Sequence, residues 1–119
     1  MQTSDSGAVD RLPTRRGVHS RPVSRSLLER KLSVTTSRLK ELREELALVD
    51  EQLACLVDMA DETRLRALVS ETPVAGREHQ EAQRHADAMA RHRVELIARL
   101  QRLERSQDEL LDRLVARMT

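Results

Sequence analysis

From Leu28 to Ala60 the chain places Leu28, Leu32, Thr35, Leu39, Leu42, Leu46, Val49, Leu53, Leu56 and Ala60 at strictly alternating steps of four and three. Steps averaging 3.5 residues keep one stripe of an α-helix turned toward one neighbouring helix along its whole length. A strand, whose side chains alternate with a period of two, has no use for that spacing. The segment therefore predicts a long helix that packs along a partner helix.

A second seam follows in the other half: Ala82, Ala86, Met89, Arg93, Leu96, Leu100, Leu103, Gln107, Leu110 and Leu114, again in steps of four and three. Between the seams, Ser70–Gly76 carries the turn signal. Proline disfavours helix in the residue before it and suits the first position of a new helix, so Thr72 is expected to cap a helix starting at Pro73. Gly76 weakens the first turns of that helix. Helix 1 is expected over about 26–69, the turn at about 70–76 and helix 2 over about 73–118. Ser24 or Ser26 is the expected N-cap of helix 1, with Glu29 completing a capping box. Beyond Ala60 the large residues Leu65, Leu68 and Val69 leave the seam, which predicts a stutter or break at Asp58–Asp61.

Two arms of about 45 residues, each ~65–70 Å long, joined by a short turn, predict an antiparallel hairpin. Folding about Thr72 sets Leu39, Leu42 and Leu46 against Leu96, Leu100 and Leu103. The same fold sets Leu53, Leu56 and Ala60 against Ala82, Ala86 and Met89, so the tip half should be thinner than the base half. The absence of any aromatic residue, with only three glycines and three prolines, also favours long helices over a sheet-based core. The fold class expected is all-α: a coiled-coil-like two-helix hairpin of one domain, preceded by a disordered arm.

Residues 1–25 hold two of the three prolines and almost no periodic apolar residues, which is too little apolar surface to offset the entropy of ordering. Arg11, Arg15, Arg16, Arg21 and Arg25 against Asp5 and Asp10 leave the arm at +3. Such an arm can touch nucleic acid or an acidic protein.

Both helices carry more apolar residues than one seam can bury. On helix 1, Leu27, Val34, Leu48 and Cys55 form a second stripe at seven-residue spacing, with one gap at Glu41. On helix 2, Ala90, Ile97, Leu111 and Met118 widen the seam into a bundle pattern. A buried Leu contributes roughly 1.5–3 kcal/mol, so leaving these wet forfeits stability. Self-association is expected, most simply two hairpins pairing into a two-fold four-helix bundle, a homodimer.

Charge is segregated as well. Residues 41–62 hold eight acids against Arg43 alone, a net of −7, whereas 77–105 hold seven arginines against five acids. Glu62–Arg66, Asp87–Arg91, Glu95–Arg99 and Glu109–Arg113 have the spacing for intrahelical ion pairs. The acidic side, ending in Asp58, Asp61, Glu62 and Glu71, is the expected docking face for a protein partner. Net charge over the whole chain is only +1, so the molecule is not an electrostatic clamp for nucleic acid.

No chemistry is expected. Cys55 has Glu51, Asp58 and Met59 as helical neighbours where a reactive thiol needs cations. His85 and His92 stand ~10.5 Å apart along a helix, and Glu81 with His85 makes only two ligands, so His79, His85, His92, Glu78 and Glu81 form no metal site. There is no phosphate-cradling glycine loop, no nucleophile–His–acid arrangement and no Cys pair. No cofactor is called for. Without aromatics there are also no stacking platforms for single strands.

A lone cysteine, no run of ~18 apolar residues and no signal-type core point to a cytoplasmic chain without a membrane segment. Nineteen arginines against two lysines, with no Phe, Tyr or Asn and a single Ile, match the usage of a GC-rich bacterial genome. Leu39-Lys-Glu-Leu-Arg-Glu-Glu-Leu46, with Glu78-His79 on the returning arm, resembles the N-terminal coiled coil of bacterial transcript-cleavage (Gre) factors over under half of the chain. The paired acidic tip motif of that family is absent, the turn reading Thr72-Pro-Val-Ala-Gly76, so no catalytic residue carries over. The expectation is a non-enzymatic interaction module. The alternative is a regulator that binds the transcription machinery or nucleic acid through the hairpin end and the Arg-rich arm.

Overall fold

The computed structural model describes residues 24–118. The expectations for Arg15, Arg16, Arg21 and the rest of the arm lie outside those residues. Two α-helices of 46 residues each, α1 (Arg25–Ser70) and α2 (Pro73–Met118), run antiparallel as a single hairpin. At 1.5 Å per residue each arm is about 69 Å long.

Local chemistry fixes both ends of α1 and the start of α2. Ser24 accepts the Leu27 amide on Oγ at 3.2 Å and caps α1. Glu29 turns outward to Arg25 at 3.4 Å, so the capping box expected with Ser26 does not form. At the far end Glu71 adopts the left-handed conformation (φ 53°, ψ 34°), and its amide closes on the Ala67 carbonyl at 3.0 Å. This single left-handed residue reverses the chain. Thr72 then accepts the Ala75 amide on Oγ1 at 3.2 Å and the Gly76 amide on its carbonyl at 3.1 Å, and Pro73 opens α2. The connection is two residues, shorter than the 70–76 turn expected, because these caps satisfy the orphan amides and carbonyls at once.

The arms zip in the expected register. Thr63 and His79, eight residues either side of Glu71, lie 3.4 Å apart through Oγ1 and Nδ1. Thr36 and Gln107 meet at 3.2 Å and Asp50 meets Arg93, both nearly equidistant from Glu71. Leu39, Leu42, Val49, Leu96 and Leu100 form the buried core, with Leu46, Met89 and Leu103 packed against it. Toward the tip the buried positions become Ala60, Ala75 and Ala86. The base is thus filled by leucine and the tip by alanine.

The break expected at Asp58–Asp61 is absent: α1 is continuous to Ser70. The seam does not stop at Ala60 but passes to half-buried Thr63 and Ala67, still in steps of three and four. Small residues keep the register where large ones depart from it. Thr63 Oγ1 is held within its own helix by the Met59 and Ala60 carbonyls at 2.9 and 3.0 Å. On α2 the seam likewise extends back from Ala82 through His79 to Ala75.

Candidate interaction surfaces

A hairpin has two flanks, and cross-arm contacts show which residues share each. On one flank Arg43 reaches Glu104 at 3.3 Å. On the other His92 Nε2 lies 3.6 Å from Glu45, and a groove there is lined by Lys31, Val34, Ser106 and Arg113. The stripe Val34, Leu48 and Cys55 belongs to the His92 flank, because Val34 sets its position and the others follow at multiples of seven. Ile97 and Leu111 stand seven residues either side of Glu104 and belong to the opposite flank. The residues expected to drive self-association, Leu27, Val34, Leu48 and Cys55 on α1 and Ile97 and Leu111 on α2, therefore divide between two faces, which one two-fold contact cannot cover together.

On the His92 flank Val34 is 69% exposed, and Leu48, Met59 and Cys55 are exposed beside it. Leu27 is half-buried. Shallow apolar grooves continue along this side between Leu56, Met89, Cys55 and His85. On the opposite flank Leu111 is exposed and Ile97 half-buried.

The base half of the His92 flank is basic. Arg38, Arg99 and Arg102 gather around Leu42 and Leu103, and Arg30, Lys31 and Arg113, with Glu109 as the one acid, line the groove at Val34. Among the described residues only Arg38 of these six basic side chains reaches a carboxylate, that of Glu41 at 3.8 Å. The expected pair Glu62–Arg66 forms at 3.6 Å. Asp87–Arg91, Glu95–Arg99 and Glu109–Arg113 do not: Asp87 accepts from Gln83 at 3.0 Å and Glu95 turns to His92 at 4.0 Å. Exposed pairs gain little in water and cost the side-chain entropy of two long arms, so spacing alone does not form them.

The tip holds what sequence spacing recorded only as a departure from the seam. Leu65, Leu68, Val69 and Val74 are all more than half exposed, Val69 at 85%. Asp58, Asp61, Glu62 and Glu71, the acids assigned to partner binding, lie exposed on the same end of the hairpin. The signal was available: three large apolar residues within five positions, none of them on the seam. His79 is tied to Thr63, His92 to Glu45 and Glu95, and His85 lines a groove with Leu56 and Met89. Among the described residues no three His, Cys, Asp or Glu side chains gather as a metal site. No described helix is long and apolar enough to cross a membrane.

No protein-family model, no curated protein and no solved structure matches this chain.

Proposed function

We propose that this protein is a non-enzymatic, cytoplasmic coiled-coil interaction module that associates with itself and docks a partner protein through the acidic end of the hairpin. The observation that supports this reading is the tip: Leu65, Leu68, Val69 and Val74 stand in solvent beside Asp58, Asp61, Glu62 and Glu71 although the hairpin's own core is closed. Apolar side chains beside a net acidic surface, four acids against Arg64 and Arg66, suit a partner with an apolar centre and a mainly basic rim. The test is affinity capture from native lysate, with and without nuclease, by the full chain and by Leu68→Ser/Val69→Ser. A stoichiometric protein that survives nuclease and is lost with the tip variant supports docking. Capture indifferent to the tip overturns it.

The alternative, a regulator contacting the transcription machinery or nucleic acid, is favoured by a different observation. Arg30, Lys31, Arg99, Arg102 and Arg113 lack carboxylate partners among the described residues, and they lie in the half of the hairpin that the arginine-bearing residues 1–23 precede. A nucleic-acid contact through this end loses affinity steeply as salt rises, because each phosphate neutralised releases counterions. Binding to duplex or RNA that is insensitive to salt rules it out.

A further inference from the structure

We infer that the His92 flank of α1 receives the same flank of a second copy, the two α1 helices running antiparallel about a two-fold axis between Glu45 and Leu48. This deepens the self-association reading above and rests on it. Three features of α1 identify the occupant.

The first is charge. Residues 24–40 carry Arg25, Arg30, Lys31, Arg38 and Lys40 against Glu29 alone, whereas 41–62 carry eight acids against Arg43. One helix is therefore basic in its first third and acidic in the next half. In an antiparallel copy Lys31, Arg38 and Lys40 come against the stretch that holds Asp58, Asp61 and Glu62, whereas a parallel copy sets like against like along the whole helix.

The second is the apolar pattern on the flank. With the axis between Glu45 and Leu48, Val34 falls against Met59 of the second copy, two residues that are 69% and 53% exposed in the single hairpin. Lys31 then falls against Glu62, and Arg38 comes close to Cys55 and Asp58. On the flank itself Glu41 and Glu45 meet Gln52 and Leu48, while Glu44, Asp50 and Glu51 share the middle of the strip with their own copies, so the charge complementarity lies in its two outer thirds. Each contact occurs twice, as a two-fold interface requires.

The third is length. The axis lies within about one residue of the midpoint of α1, so the two helices overlap end to end. A strip ~69 Å long and roughly 10–12 Å wide buries about 750 Å² per copy, close to the standard size of a specific interface. The opposite flank, with Ile97 and Leu111, stays outside this contact.

The test uses the full chain and two double reversals of exposed residues, Lys31→Glu/Arg38→Glu and Asp58→Lys/Glu62→Lys, with circular dichroism confirming that both stay helical. Light scattering is expected to show wild-type dimers. Each double reversal alone weakens dimerisation by about tenfold or more, and an equimolar mixture restores it, because each chain then meets its complement in the other. In a Cys55→Ser background, Leu48→Cys is expected to link to itself through a short bismaleimide, and Leu111→Cys is not. A wild-type chain that stays monomeric at ~100 µM overturns the self-association reading and this inference together. Wild-type dimers that ignore the reversals, or that link through Leu111→Cys instead, overturn this arrangement alone.

Discussion

Arg93 occupies a seam position of α2 level with buried Val49, and its guanidinium leaves the seam to end on the Asp50 carboxylate of the facing arm. The Arg93 side chain is 40% exposed, so its charge stays in reach of water at the edge of the seam. A charged residue in the seam thus costs no buried charge.

This pair is expected to set alignment more than stability. Asp50→Ala should lower stability by less than about 1 kcal/mol, as for half-exposed ion pairs generally. Arg93→Leu should raise it by about 1 kcal/mol through added apolar burial. Urea midpoints of the two variants, measured at equal chain concentration, check both signs.

The leucine core carries the fold. Leu39 and Leu96 are wholly shielded from solvent, so Leu39→Ala or Leu96→Ala should each cost about 2–5 kcal/mol. Val69→Ala, at an 85% exposed site, should change chain stability by less than about 0.5 kcal/mol. Equilibrium denaturation separates the two classes.

The tip half tolerates little added volume. Ala60 and Ala86 are each 4% exposed, and a leucine at either must push the arms apart. Ala60→Leu or Ala86→Leu should destabilise by about 1–3 kcal/mol although both raise hydrophobicity. A gain in melting temperature for either variant contradicts the close packing described for this end.

The turn can be improved and broken at neighbouring positions. Glu71→Gly relieves a left-handed conformation that side chains resist and should stabilise by up to about 1 kcal/mol. Thr72→Ala removes the α2 cap and should cost about 0.5–2 kcal/mol. A Cβ at Gly76 meets nothing within 4 Å, so Gly76→Ala should gain about 0.5–1 kcal/mol. Thermal melts of the three variants give opposite signs at adjacent residues if the caps are as described.

The hairpin and its register were legible in the sequence because they follow from single-helix properties. The four–three spacing of Leu28 to Ala60 and of Ala82 to Leu114 names the inner stripe of each arm, and Thr72-Pro73 marks where the second begins. The acids of the candidate docking end were legible for the same reason. Its apolar part was not, because Leu65, Leu68 and Val69 registered as a break in the seam rather than as a surface. Continuity through Ala60, Thr63 and Ala67 rests on small residues, which burial reveals and hydrophobicity does not.

What only the tertiary structure decided is how the chain turns and which partners the side chains beside the seam take. A single left-handed residue, Glu71, closes the hairpin in two residues. Arg43 crosses to Glu104 and Arg93 to Asp50, while Glu95 turns to His92 and leaves Arg99. Periodicity fixes which residues of a helix share a face, and with it the flank each stripe takes. Which of several charged neighbours a side chain meets depends on the facing arm, and no single helix's sequence contains it.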